Sequence, residues 1–72
     1  MITWKRLNPG EYISTDSRFY IIQSYDRIYG DYWKLVDTSV SDVYKGTYHE
    51  KTLLACKLNA EYLGRVNSND QK

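Results

Sequence analysis

His49 and Cys56 are the first residues to consider as a base and a nucleophile, and each is the only one of its type in this 72-residue sequence. A histidine-centred triad would need serine and aspartate partners, and no local motif marks them. Cys56 lies among Leu53, Ala55 and Ala60, which predicts a buried, unreactive thiol. His49 is interpreted as an exposed residue in the first turn of a helix. The sequence therefore predicts a protein that is not an enzyme.

The other residue types that bind ions or phosphates are also poorly placed for chemistry. One histidine and one cysteine on a predicted helix do not make a metal-ligand set. The four glycines are scattered, so no phosphate-binding loop is formed. The aspartates fall in or beside predicted turns, which favour this residue type: Asp16, Asp26, Asp31, Asp37 and Asp42. A paired-carboxylate acid/base site would require the fold to cluster them. We expect no cofactor and no metal.

Tyrosine is the unusual component, with eight in the chain. One interpretation is that several lie half-buried at the rim of a small sheet. The other is a binding interface, since rigid tyrosine side chains recur at interaction hot spots. The centre of that predicted surface comprises Tyr25, Arg27, Tyr29, Tyr32 and Lys34. Aromatic residues beside basic ones also suit nucleic acid, but the neighbouring Asp26 and Asp31 cancel the positive charge. A protein partner is predicted, and nucleic acid is the alternative.

Length and composition place these residues in one small domain. The formal net charge is +1, with ten basic and nine acidic residues, whereas DNA-binding domains usually carry a clear basic excess. A lone cysteine fits a reducing compartment. The amino-terminal segment MITWKRLNPG has no apolar core of a signal peptide, and no apolar run reaches the ~18 residues that span a bilayer. We expect a soluble, cytoplasmic protein without membrane partners.

The first two thirds of the chain consist of short aromatic segments typical of strands. FYIIQS, beginning at Phe19, is the strongest, and Phe19 and Ile21 should share one face. In YWKLVD, beginning at Tyr32, alternation places Trp33 and Leu35 on the core side. Weaker strand candidates are residues 2–7, 11–15 and 43–48.

Residues 46–64 show the helical periodicity of the chain. Thr47 and Glu50 fit a capping box, although a strand at Tyr48 would delay the start to Glu50 or Lys51. Gly64 is a natural C′ residue. The helical wheel has two apolar stripes, and a helix lying on one sheet needs only one. The first stripe is assigned to the core: Leu54, Ala55, Leu58 and Tyr62. Either the sheet wraps far enough to cover both stripes, or the second one meets a partner. The second stripe is predicted as a homodimer or partner face: Leu53, Cys56, Ala60 and Leu63.

Together these elements predict an α+β domain over residues 1–64, followed by a flexible tail, 65–72. A three- to four-stranded antiparallel meander is packed on one face by a single C-terminal helix, Glu50–Leu63. The predicted core contains Phe19, Ile21, Trp33, Leu35, Leu54, Leu58 and Tyr62, with Ile13 depending on register.

Two resemblances bear on function. The run RFYIIQSYDRIYGDYWKLVD followed by YKGTYHEKTLLACKLNAEYL, with its Trp33-x-Leu35-x-Asp37 strand, resembles small orphan phage and prophage proteins over about residues 11–63. That resemblance implies an accessory factor that binds a host or phage macromolecule and catalyses no reaction. The leading hypothesis takes a host protein as the partner, with inhibition as one outcome of binding. Gly46-Thr47-Tyr48 leading into the helix is similar to three-stranded-sheet-plus-helix DNA-binding domains, such as the tyrosine-recombinase arm-binding and plant ethylene-response types. In those domains basic residues line the exposed sheet face, for which this chain offers Arg18, Arg27 and Lys34.

Overall fold

The computed structural model of this chain describes residues 2–70, with side chains through residue 65, and shows one antiparallel sheet and one helix. The elements are β1 (Trp4–Asn8), β2 (Glu11–Ser14), β3 (Phe19–Asp26), β4 (Gly30–Asp37), β5 (Thr47–Glu50) and α1 (Leu53–Asp70). The strands lie in the order β1-β2-β3-β4-β5. The predicted α+β class is confirmed, but the sheet has five strands where three or four were predicted.

The two longest strands, β3 and β4, form the centre of the sheet and pair from Phe19↔Asp37 to Asp26↔Gly30. Because side chains alternate along a strand, one side of the sheet carries Phe19, Ile21 and Leu35, all fully buried under α1. We call this side the core face, and the predictions for these three residues are confirmed. The opposite side, here called the open face, carries Ile13, Tyr20, Ile22, Tyr32, Lys34 and Val36, all half-buried.

α1 turns the smaller of its two apolar stripes toward the core face. Cys56 and Ala60 are fully buried, and Leu63 is buried beside them. Leu53 is partly buried against the same cluster. Small side chains at the centre of this stripe let the helix approach the sheet closely, and the large side chains of the sheet fill the space between them. The core is therefore built from large sheet residues and small helix residues.

This arrangement reverses both predicted helix stripes. The predicted core residues Leu54, Leu58 and Tyr62 are 65%, 61% and 56% exposed. The predicted homodimer or partner face, comprising Leu53, Cys56, Ala60 and Leu63, is instead the side that packs on the sheet. Both assignments are wrong for one reason: the wheel counts apolar positions and does not weigh how close a helix must come to a sheet.

α1 also begins later than predicted. Thr47 and Glu50, predicted as a capping box, belong to β5 and pair with β4. The helix is capped by Thr52, whose Oγ1 accepts a 3.0 Å hydrogen bond from the amide of Ala55, as an N-cap residue does.

The far end of α1 also differs from the prediction. The helix does not stop at a Gly64 cap but continues to Asp70. The division into a domain of residues 1–64 and a flexible tail of residues 65–72 stays a prediction, and positions 71 and 72 lie outside the described residues.

An ion pair closes one end of the core. Asp37 is 1% exposed, and both its carboxylate oxygens accept hydrogen bonds from Arg18. The guanidinium of Arg18 also lies over the ring of Phe19, 4.7 Å from its centroid. Arg18 therefore belongs to the helix side of the sheet. Its predicted contribution to a basic exposed face is wrong.

The connection between β4 and β5 folds tightly against the end of β4. Gly46 is buried, and its carbonyl accepts a 2.7 Å hydrogen bond from the amide of Asp37. A Cβ on Gly46 would lie 2.8 Å from the carbonyl oxygen of Asp37 and 3.1 Å from Cβ of Val40. The close approach of the two backbones therefore requires glycine at this position.

The register of β1 against β2 shifts between Arg6 and Asn8, as in a β-bulge. Elsewhere the strands pair without interruption.

The helix found among residues 2–70 lacks the combination of length and apolar character needed to cross a membrane.

Candidate partner-binding surface

Three large exposed side chains lie at the end of the β3–β4 hairpin, one in the last residues of β3 and two in the turn that follows. Tyr25, Ile28 and Tyr29 are 68%, 84% and 86% exposed. Asp26 holds the turn from within, because its Oδ1 accepts hydrogen bonds from the amides of Ile28 (2.7 Å) and Tyr29 (3.0 Å). Gly30 completes the turn with φ +85°, a conformation that suits glycine. We call Tyr25, Arg27, Ile28 and Tyr29 the hairpin tip.

The charge of Asp26 contributes to this geometry. The hydrogen bonds from the Tyr29 and Ile28 amides lower the pKa of the Asp26 carboxyl, because they favour its charged form. Asp26 is therefore ionised at neutral pH. The turn has a fixed backbone, and its large side chains are free to make contacts with a partner.

A shallow cleft adjoins the hairpin tip at the β4–β5 edge of the sheet. Its volume is about 360 Å³, and it is lined by Asp26, Tyr29, Tyr32, His49, Glu50 and Lys51. The rings of Tyr32 and His49 meet edge to face, with centroids 5.2 Å apart and planes at 89°. Aromatic rings in this arrangement attract each other beyond the area they bury. We call this site the aromatic cleft.

The predicted partner-binding residues are divided between the two sides of the sheet. Tyr29 and Tyr32 both line the aromatic cleft, and Lys34 lies on the open face opposite His49. Arg27 is exposed in the turn. Tyr25 alternates with Phe19 and Ile21, so it leaves the sheet on the other side. Only at the β3–β4 turn are side chains from both sides of the sheet close to each other in the chain.

Five residues of this surface were not among the predicted partner-binding residues: Asp26, Ile28, His49, Glu50 and Lys51. The prediction of His49 in a first helical turn is wrong, because His49 is an exposed strand residue of β5. The alternation of Thr47 and His49 with Tyr48 and Glu50 is a strand signal that the capping-box pattern obscured. Ile28 could have been found as a large apolar residue inside a polar turn.

The aromatic cleft combines charged and aromatic side chains, with His49 among them. Its charged residues are Asp26, Glu50 and Lys51, and Glu50 accepts a 3.1 Å hydrogen bond from Asn59. Among the described residues, no group of three His, Cys, Asp or Glu side chains could hold a metal ion. Cys56 is buried as predicted, and burial together with the charge of Glu50 raises the pKa of its thiol to about 11. Contact area and hydrogen bonding are what this surface provides.

The open face does not form a basic track. Lys5 and Lys34 lie on it, and so do Glu11 and Asp26. Glu11 accepts a hydrogen bond from the hydroxyl of Tyr20, and this bond, followed by one from Asn8, lowers the pKa of the Glu11 carboxyl. Glu11 is therefore charged at neutral pH, and cations and anions balance across this face.

Comparison with known proteins gives no relative of this chain. No protein-family model matches it, and neither the curated proteins nor the solved structures compared with it include a match.

Proposed function

We propose that this chain is a non-enzymatic protein-binding module that contacts its partner through the hairpin tip and the aromatic cleft. The observation that carries the proposal is the exposure of Tyr25, Ile28 and Tyr29 at one end of the β3–β4 hairpin. Exposed apolar side chains that lie together mark interaction sites more often than scattered ones. Tyrosine suits this role because its large rigid ring loses little entropy on binding.

The backbone supports the same proposal. The turn is held by the two hydrogen bonds to Asp26 before any partner binds. A preformed turn reduces the entropy lost on association. The adjoining aromatic cleft adds a concave site beside the protruding tip, and its Tyr32–His49 contact holds one wall in place.

The resemblance to phage accessory proteins suggests the class of partner, a host protein. The chain would then act in the host cytoplasm, and binding itself would be its activity. The balance of Lys5 and Lys34 against Glu11 and Asp26 on the open face favours protein over nucleic acid as the partner.

A capture experiment with matched variants tests this function. The tagged chain is used to capture proteins from a candidate host lysate. The Ile28→Ser/Tyr29→Ser double variant should lose the captured partner. The control is Val43→Ser/Tyr44→Ser, because Val43 and Tyr44 are also exposed, by 58% and 89%, but lie on a different loop. Neither change removes a buried side chain, so both variants should unfold at the temperature of the parent chain.

Two outcomes would contradict the proposal. One is a partner that both double variants capture equally well, because the hairpin tip would then not be its binding site. The other is capture that disappears after nuclease treatment and falls steeply with salt, which would assign the surface to nucleic acid.

A further inference from the structure

The side of α1 that faces away from the sheet carries a second apolar row. Leu54, Leu58 and Tyr62 follow each other at intervals of four residues, so they lie in line along the helix. Each is more than half exposed. We call these three residues the outer stripe. The other stripe of α1 already covers the sheet, so the outer stripe has no role in closing the core.

The charges beside the outer stripe have a definite order. Lys57 and Glu61 both lie on the flank next to β1 and the amino-terminal segment. The Nζ of Lys57 is 5.3 Å from the ring centroid of Tyr12, and Oε2 of Glu61 accepts a 2.7 Å hydrogen bond from the amide of Ile2. Both side chains are half-buried and held in place. The flank therefore presents a cation and an anion one helical turn apart.

This order is self-complementary when two such helices run antiparallel. In a two-fold arrangement centred on Leu58, Leu58 meets its own copy and Leu54 meets the second copy's Tyr62. The same flanks face each other, so Lys57 meets the Glu61 flank of the other copy. With a rise of about 1.5 Å per residue, the two groups are offset by about 3 Å along the axis. A parallel pair of helices would place Lys57 against the flank of Asn59 instead and form no ion pair.

We infer that two copies of this chain associate through the outer stripe, with antiparallel α1 helices and two reciprocal Lys57–Glu61 ion pairs. The cleft between α1 and the amino-terminal segment, lined by Ile2, Trp4, Lys57, Leu58, Glu61 and Arg65, continues the apolar surface beyond the stripe. A stable interface buries about 800 Å² per partner. A stripe of three side chains with this margin makes a smaller interface than that, so we expect a weak, reversible dimer that forms at micromolar or higher concentrations of the chain.

Sedimentation of the purified chain from about 1 to about 500 μM tests the dimer, because this span brackets a micromolar Kd. The average mass should rise from one chain to two. Leu58→Asp should keep the mass at one chain, because each aspartate would face its own copy across the two-fold axis. Val43→Asp is the control: Val43 is 58% exposed and Leu58 61%, but Val43 lies on a loop away from α1. It should dimerise like the parent chain.

A charge exchange tests the orientation of the helices. Lys57→Glu and Glu61→Lys should each weaken self-association, by about tenfold, because every reciprocal pair becomes repulsive. An equimolar mixture of the two variants should form mixed dimers with about the parent affinity, since opposite flanks then meet. Thermal unfolding of each variant checks that the contacts to Tyr12 and Ile2 are not needed for folding.

The dimer does not depend on the proposed partner, because it is measured on the chain alone. A mass of one chain up to the highest concentration would overturn it and assign the outer stripe to a different protein. Dimers that persist in Leu58→Asp would place the interface elsewhere. Dimers in which the charge variants show no preference for mixing would overturn the antiparallel arrangement. None of these results bears on capture through the hairpin tip.

Discussion

The guanidinium of Arg18 lies against the buried carboxylate of Asp37, with Nε and Nη2 each 3.1 Å from one carboxylate oxygen. The pair joins the start of β3 to the end of β4. Ser39 adds two hydrogen bonds to Oδ1 of Asp37, one from its amide and one from its hydroxyl. The aspartate of the Trp-x-Leu-x-Asp strand is therefore a structural residue that fixes the end of the core.

Removing the Asp37 carboxylate should lower the stability of the fold. We expect Asp37→Ala to lower the free energy of unfolding by about 3 kcal/mol, because it leaves the Arg18 charge half-buried without its partner. Urea unfolding measures the difference. Asp31→Ala is the control, since Asp31 is exposed in the same strand, and it should change the free energy by less than about 0.5 kcal/mol. Equal effects in the two variants would show that the pair does not stabilise the fold.

Stability should also depend on pH through Asp37. Burial alone would raise the pKa of this carboxyl, but hydrogen bonds from Arg18 and Ser39 outweigh it, so the folded pKa lies below its usual value. Unfolded aspartate titrates near pH ~3.9. The ionised group thus stabilises the fold above about pH 4, and this contribution is lost as the pH falls through the folded pKa.

The measurement is the urea midpoint as a function of pH below neutrality. As the pH is lowered, the urea concentration at the unfolding midpoint should fall less steeply for Asp37→Asn than for the parent chain. The pKa values of Asp16 and Asp26 are also lowered, by hydrogen bonds from Ser14 and from the Tyr29 amide respectively, and both contribute equally to the two proteins. Identical slopes for the parent and Asp37→Asn would contradict the assignment.

Cys56 should resist thiol reagents while the chain is folded. Burial, with a smaller effect of the Glu50 charge, raises its pKa to about 11, so at pH 8 only about one thiol in a thousand is ionised, against about a quarter for a free cysteine. A chromogenic disulfide should modify it only at the rate of unfolding, and at once in concentrated guanidinium. Tyr44→Cys in a Cys56→Ala background places the thiol on an exposed loop and should react as a free cysteine. Rapid labelling of the native parent chain would be inconsistent with the described burial.

Two leucines of α1 should respond very differently to truncation. Leu63 is 9% exposed and Leu58 61%. Leu63→Ala should lower the free energy of unfolding by about 2–4 kcal/mol, because it leaves a cavity in the core. Leu58→Ala should cost less than about 0.5 kcal/mol in dilute protein. The opposite order would restore the stripe assignment made from the helical wheel.

The glycines at positions 46 and 64 form a second matched pair. Gly46→Ala should lower the free energy of unfolding by about 2 kcal/mol, because its Cβ would press on the Asp37 carbonyl. At Gly64, inside α1, a Cβ would lie 3.9 Å from Cδ1 of Ile2, an ordinary contact. Gly64→Ala should therefore raise stability by about 0.5–1 kcal/mol through helix propensity. Thermal unfolding of both variants measures these changes. A Gly46→Ala variant as stable as the parent chain would mean that the β4–β5 connection can move to make room for the added Cβ.

The centre of the sheet could be predicted because its strands carry their own signals. Phe19, Ile21 and Leu35 alternate with outward residues, and this alternation determines their face whatever lies above it. The start of α1 could not be predicted in the same way. The segment from Thr47 to Glu50 satisfies a capping box and a short strand equally well, and only pairing with β4 decides between them.

The sequence predicts part of the candidate site, namely the residues whose own type indicates an interface. Tyr29 and Tyr32 were found from composition, because aromatic residues near a turn indicate an interface. His49 and Tyr32 come together only through the pairing of β4 with β5. The helix stripes failed because both are apolar, and side-chain size at Cys56 and Ala60, not hydrophobicity, decides which one faces the sheet.

The bulge in β1 has a consequence for how copies of this chain can meet. In an open meander the outermost strands expose unpaired backbone groups, which can join sheets edge to edge into fibrils. Here one edge is interrupted between Arg6 and Asn8 and carries two adjacent cations, Lys5 and Arg6. The other edge is a strand of only four residues followed by Lys51. Irregularity, charge and shortness all oppose strand addition, which leaves side-chain surfaces as the means by which this protein can associate without aggregating.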